Sequence, residues 1–198
     1  MPHPQAEKPP ILWLQAIIFS STLLISLTVV PWYGYEYGYN GWLALFFFAF
    51  LWANGLSITA GYHRLWSHNT YKAHPALRLF FALFGAAALQ NGALVWCSGH
   101  RRHHRHVDDT KQDPYSAKRG LWFSHIGWML RSYDKKADDF SNVKDLQRDP
   151  IVAWQHKHYL AIAISMNFIP PILVGLLLGD VIGALLIVGV LRLVVSHH

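Results

Sequence analysis

Long apolar runs alternate along this chain with two short polar connections and one long mixed one. Residues 11–30 form an apolar run of about 20 residues, which at 1.5 Å per residue crosses roughly 30 Å of hydrocarbon. The run is long for the hydrophobic part of a signal peptide and no small-x-small cleavage site follows it, so it reads as a retained transmembrane helix. Residues 41–60 make a second span, interrupted only by Asn54 and small hydroxyl residues. Residues 159–178 make a third, expected to kink or stop at Pro170 and Pro171 because proline removes a backbone donor. After a turn at Gly179 and Asp180 a fourth apolar run occupies residues 181–198.

From Gly183 onward that last run is about 16 residues, or about 24 Å, short of a roughly 30 Å core. The expectation is therefore an incomplete fourth helix in a chain truncated at its C-terminus. The first connection, "PWYGYEYGYN", carries Trp and Tyr but no Lys or Arg, the composition of an interfacial aromatic belt. All Lys and Arg except Lys8 and Arg192 lie in residues 61–158. The positive-inside bias then puts the tail of residues 1–10 and the region 61–158 in the cytoplasm. The whole is expected to be a single all-α domain over residues 1–198. Its four transmembrane helices, the last incomplete, would carry a cytosolic helical cap.

Composition sharpens this picture in three ways. Charged residues are 14% of the chain, against about 25% in soluble proteins, and the mean hydropathy is +0.18. The basic pI near 9.5 comes from a region that also holds all acidic residues but Glu7, Glu36 and Asp180, which fits a mixed-sign cytosolic surface and excludes a nucleic-acid face. A single cysteine, Cys97, allows neither an internal disulfide nor a cysteine-based metal site, and reads as a small buried hydrophobe.

Thirteen histidines remain to be placed. "HRLWSH" puts His63 and His68 five residues apart where the second span should leave the membrane. On a straight α-helix those side chains diverge by about 140°, so they converge only if the helix loosens or ends between them. "GHRRHHRH" gives His100, His103 and His104 the i, i+3, i+4 spacing of one helix face, with His106 pointing away. Imidazole suits Zn, Cu, Fe and Ni, and neither cluster contains a thiolate or carboxylate, so an all-nitrogen site is indicated. The arginines between them, always protonated, are poor ligands and suit lipid phosphates or acidic neighbours. Asp108, Asp109 and Asp113 are candidates to orient ligand histidines. All of this requires residues 77–96, apolar but containing Arg78, Gln90 and Asn91, to stay on the cytosolic side. If that segment crossed, the two clusters would face opposite sides of the membrane.

"GYHRLWSH", "GHRRHH" and "DPYSAKRGLWFSHIGWML", with the four-helix hydropathy pattern, resemble the membrane fatty acid desaturases, most of all the acyl-CoA Δ9 (stearoyl-CoA type) branch, over residues 32–198. The resemblance implies four membrane helices under a cytosolic cap with a non-haem centre of two iron ions. Its ligands here would include His63, His68, His100, His103 and His104. It implies dioxygen-dependent formation of a cis double bond in a fatty acyl-CoA. The two electrons would come from a small carrier protein of ferredoxin, rubredoxin or cytochrome b5 type and its reductase, with membrane lipid around the helices. It places Gln90, Asn91 and Trp96 near the acyl entrance and Lys118 and Arg119 near the carrier's phosphates. His125 belongs to the family pattern and reads as structural; His74, His156 and His158 read as interfacial or surface residues.

The chain departs from the family pattern in two respects. The family's third histidine box and a further lone histidine would lie beyond residue 198, and His197 and His198 are poorly placed to replace them, so this chain alone is expected to be inactive. Val95, Ser98 and Gly99 stand where animal acyl-CoA enzymes carry charges, which leaves an acyl-lipid or acyl-carrier-protein substrate open. Two other readings compete: a related histidine-box hydroxylase, and a non-catalytic histidine-rich membrane module that binds metal.

Overall fold

The computed structural model describes residues 9–133 and 138–197 and is all-helical; among the described residues the one β contact is an isolated antiparallel bridge between Ile11 and Arg131. Six principal helices follow in order: α1 (Trp13–Glu36), α2 (Trp42–Ser67), α3 (Pro75–Ala87), α4 (Ala93–Arg105), α5 (Pro150–Leu178) and α6 (Val181–His197). Short helical turns at Ala117–Arg119, Phe123–Gly127 and Ser141–Val143 lie between α4 and α5.

Helices α1, α2 and α5 are long and apolar enough to cross a membrane, and α6 is a shorter apolar helix. Their outward faces carry Leu27 (68% exposed), Trp52 (68%) and Leu177 (74%), apolar surface that water would not tolerate but lipid does. Hydroxyl side chains do not interrupt α1 because they bond to the preceding turn, as Thr22 does to Ile18 O (2.7 Å) and Thr28 to Leu24 O (2.7 Å).

Each long helix extends past the apolar run that announces it. Helix α1 continues through Pro31 to Glu36, α2 runs on to Ser67, and α5 begins at Pro150, capped by the Asp149 carboxylate, which accepts from the Ile151 and Val152 amides. Of the kink or stop expected at Pro170 and Pro171, the stop does not occur. Helix α5 passes through both to Leu178, and its one non-helical residue is His158 (φ −111°, ψ 16°). Neighbouring helices support a proline-bearing span where an isolated helix would break. The turn after it ends on Gly179, whose φ of +74° suits a residue without Cβ, and Asp180 then caps α6. Tyr33 donates to the Asp180 carboxylate (2.8 Å), which puts both short connections at the same end of the bundle.

Residues 77–96 do not form one continuous helix. Helix α3 packs on α2 and α5, the chain turns at residues 88–92, and α4 starts back beneath α2. Close approach of α3 to α2 depends on Gly85, where a Cβ would fall on the Tyr62 ring. Gln155 of α5 lies fully buried among these helices. Its amide donates to the Tyr62 hydroxyl (2.6 Å) and Ala82 O (2.5 Å), and its carbonyl accepts from Ala93 N–H (2.8 Å) at the start of α4. A second buried polar knot joins α6 to the bundle. Arg192 donates to Ala87 O (3.0 Å) and to Asn167 Oδ1 (2.6 Å), and Asn54, with its amide oriented by this network, accepts a further bond (2.6 Å).

Candidate metal centre

The last three turns of α2, Ser57–Ser67, are a π-helix, in which each N–H reaches the carbonyl five residues back. That register reduces the 140° divergence expected on an α-helix, because the wider turn brings residues five apart towards one face. The bond from His68 N–H to His63 O (3.1 Å) is one of this kind, and the two imidazoles stand 4.6 Å apart, centroid to centroid. Helix α4 brings His100 and His104 to the same place from below.

Ring nitrogens of His63, His68, His100 and His104 all lie within 4.8 Å of one another. His100 Nε2 is 3.1 Å from His68 Nε2 and 3.1 Å from His104 Nε2. A neutral imidazole nitrogen offers one proton or one lone pair, so His100 Nε2 can share a proton with one of these neighbours but not both. A cation between them satisfies every lone pair at once. Nitrogens at about 2.1 Å from one ion stand about 3.1 Å apart when they subtend about 95°, so the spacing suits a transition metal. The electrostatics agree. Burial, reinforced by His104, His63, His68 and His103, pushes the His100 pKa down to about 3, and burial followed by His63 and His104 lowers that of His68. Neutral imidazole is the form that binds metal.

His103 does not join these four. Although it shares a helix face with them, its Nδ1 donates to Asp113 Oδ1 (2.9 Å), and its ring lies 4.6 Å from that of Tyr115. Asp113 is fully buried and also accepts from the Asp108 and Tyr115 amides (3.0 and 3.1 Å), which fixes the carboxylate. Of the three aspartates considered as orienting groups, Asp113 holds a histidine; Asp109 instead accepts from the Lys111 and Gln112 amides.

The other candidate residues fall in three places. Trp96 stacks on His100 (4.8 Å, 23° between planes) and meets His63 edge-on. Gln90 and the exposed Asn91 form the turn between α3 and α4, with Asn91 at φ +72°. Lys118 and Arg119 lie on the short turn after α4, where the Arg119 guanidinium covers the Phe123 ring at 3.5 Å. His74 caps α3, accepting from Ala76 N–H. His197 bonds to Ala88 O (2.8 Å), and His198 lies outside the described residues. Cys97 is buried, and burial raises its thiol pKa to about 12, so it is the inert small residue expected.

A sequence model described as "Fatty acid desaturase" matches residues 39–198, most of the chain and both histidine clusters. The chain belongs to the fatty acid desaturase family. It is 46% identical over 156 residues to "Probable acyl-CoA desaturase" of Schizosaccharomyces pombe, covering 78% of this chain and 32% of that protein. It is 38% identical over 194 residues to "Acyl-CoA desaturase 1" of Saccharomyces cerevisiae, covering 94% of this chain and 37% of that one. It is also 34% identical over 176 residues to "sn-2 palmitoyl-lipid 9-desaturase" of Nostoc, covering 86% and 59%. The chain thus spans about a third of the length of the two yeast relatives.

Sequence reasoning did not find Gln155, Tyr62 or the separate position of His103. Gln155 and Tyr62 lay at the edges of apolar runs, where a polar atom is unremarkable until a partner faces it. The pull of Asp113 on His103 acts over ten residues and leaves no mark in helical spacing.

Proposed function

We propose that this chain forms the membrane bundle and the first two histidine boxes of a di-iron desaturase that introduces a cis double bond, at Δ9, into a fatty acyl chain carried by coenzyme A. The observation that carries the reading is the convergence of four imidazoles from α2 and α4 at one end of an apolar bundle. Iron bound there would supply the activation of dioxygen and the oxidation of unactivated C–H bonds, which no side chain can perform.

The protein's own residues supply position and exclusion. His63, His68, His100 and His104 would hold one iron, and neutral imidazoles leave its charge uncompensated by ligand. His103, with its Nδ1 proton engaged by Asp113, presents Nε2 for the second iron. Trp96 covers the His100 ring with an apolar plane that sheds water and suits a hydrocarbon chain. Gln90 and Asn91 at the α3–α4 turn would guide the acyl chain, and Lys118 and Arg119 would meet phosphates of its carrier. Both histidine pairs would face the cytoplasm, where a small iron–sulfur or haem protein delivers electrons.

Membranes carrying a full-length desaturase that contains this chain, given iron, a reductant-coupled carrier protein and a saturated acyl-CoA in air, should yield cis mono-unsaturated chains by gas chromatography. Hydroxylated chains would indicate the hydroxylase instead, and saturated chains alone would count against catalysis. The same assay with acyl-lipid or acyl-carrier protein decides the carrier.

A further inference from the structure

Arg101 follows His100 directly, and its guanidinium has no role in the site as proposed. All five of its N–H donors are nevertheless engaged. Nε donates to Ser67 O (3.1 Å), one Nη2 proton to Trp66 O (2.8 Å) and one Nη1 proton to Asn142 O (3.0 Å). The remaining two form a paired contact with both oxygens of Asp145 (2.8 and 2.8 Å). Trp66 and Ser67 end the π-helix and immediately precede His68. The last carbonyls of a helix have no partner within it and concentrate negative potential, so a cation there is doubly favoured.

We infer that Arg101 is a positioning residue that locks the two histidine boxes together, setting His68 and His100 at the separation one metal ion requires. The planar guanidinium reaches from its place beside His100 on α4 to the carbonyls beside His68 on α2. Asp145 and Asn142, on the short helical segment before α5, hold the far edge of the fork. The π-helix supplies a register in which His63 and His68 face one way; Arg101 supplies the lateral distance to α4. Lysine has three donors around a point and cannot reproduce five planar contacts, so it cannot replace arginine here.

The inference rests on the metal reading of the four histidines, and two readouts on the full chain in detergent separate them. The first is cobalt(II) titration, followed by visible absorption. The chain should bind cobalt, and Arg101→Lys should weaken binding at least about tenfold and change the bands, as loss of a ligand-orienting contact does. Asp180→Ala, which removes the Tyr33 bond and the α6 cap at the opposite end, serves as control: it should lower the melting temperature and leave the cobalt spectrum unchanged. Equal affinity and spectrum in Arg101→Lys, or equal weakening in Asp180→Ala, would overturn the inference.

The second readout needs no metal. Amide hydrogen exchange across residues 63–70 should rise in Arg101→Lys, rise less in Asp145→Asn, which keeps the three carbonyl contacts, and stay unchanged in Asp180→Ala. Unaltered exchange in both site variants would overturn the inference whatever the metal does. Failure of the unsubstituted chain to take up cobalt, with exchange altered as described, would refute only the metal reading.

Discussion

Replacing Gln155 with leucine tests the packing that carries box two to box one. The side chain is fully buried, and three contacts depend on it: the Tyr62 hydroxyl, Ala82 O and the Ala93 amide. Leucine fills nearly the same volume, so the cavity contribution is small and the loss is polar. Ala82 O lies within α3 and keeps its helical partner, whereas the Ala93 amide is among the first of α4 and has none. The Tyr62 hydroxyl is likewise sealed from water. Two stranded groups at about 1–3 kcal/mol each predict a loss of about 2–6 kcal/mol. For a protein of this size that lowers the melting temperature by about 4–24 °C, since 1 kcal/mol moves it by about 2–4 °C. Differential scanning fluorimetry in detergent measures the shift. A Gln155→Leu variant within one degree of the unsubstituted protein would refute the claim that this amide ties α2, α3, α4 and α5 together.

Several other outcomes are expected. Alanine at any one of His63, His68, His100 or His104 should reduce cobalt binding at least about tenfold, whereas His103→Ala should leave the four-histidine ion in place; equilibrium dialysis distinguishes them. Asp113→Asn should loosen the His103 ring and leave binding by the four-histidine site unaffected, as read by hydrogen exchange beside a cobalt titration. Acidification should destabilise the metal-free chain. His100 is depressed from 6.5 to about 3, so the unfolded chain binds its proton first, and stability present above pH 6.5 is lost as pH falls from 6.5 towards 3. Melting temperatures that rise on acidification would contradict this, and His100→Ala should flatten the curve. Gly85→Ala should destabilise strongly, because the added methyl meets the Tyr62 ring, which Gln155 holds in place; a melting temperature at or above that of the unsubstituted protein would show that α3 can move away.

The membrane spans were legible because lipid imposes continuous apolar runs, and both histidine clusters were legible because few side chains repeat at such spacing without cause. Helix ends were not. Runs of apolar residues mark where lipid is, not where the backbone stops being helical, so α2 and α5 both continue into polar territory as far as caps and packing allow. The convergence of His63 with His68 was posed correctly as a problem but not solved by sequence. Nothing in "HRLWSH" distinguishes a π register from an ended helix, and the contacts that Tyr62 makes in the π segment, with Gly85 and Gln155, lie on other elements. Pro170 and Pro171, where a kink or a stop was expected, do not stop the helix, since their neighbours supply the support that an isolated helix lacks. His103 was grouped by helical face, and a partner ten residues away then set it apart. Asn54, Asn167 and Arg192, polar residues inside apolar runs, were visible signs of a buried network, and each needed the others' positions to be read.

The central claim is that imidazoles from two separate stretches of chain meet around one ion. Anomalous diffraction at the iron edge from iron-soaked crystals of the protein tests it most directly. The account predicts a peak within about 2.0–2.3 Å of ring nitrogens of His63, His68, His100 and His104 together. A peak bound by one pair alone, with the other pair turned away or on the opposite side of the bundle, would contradict it.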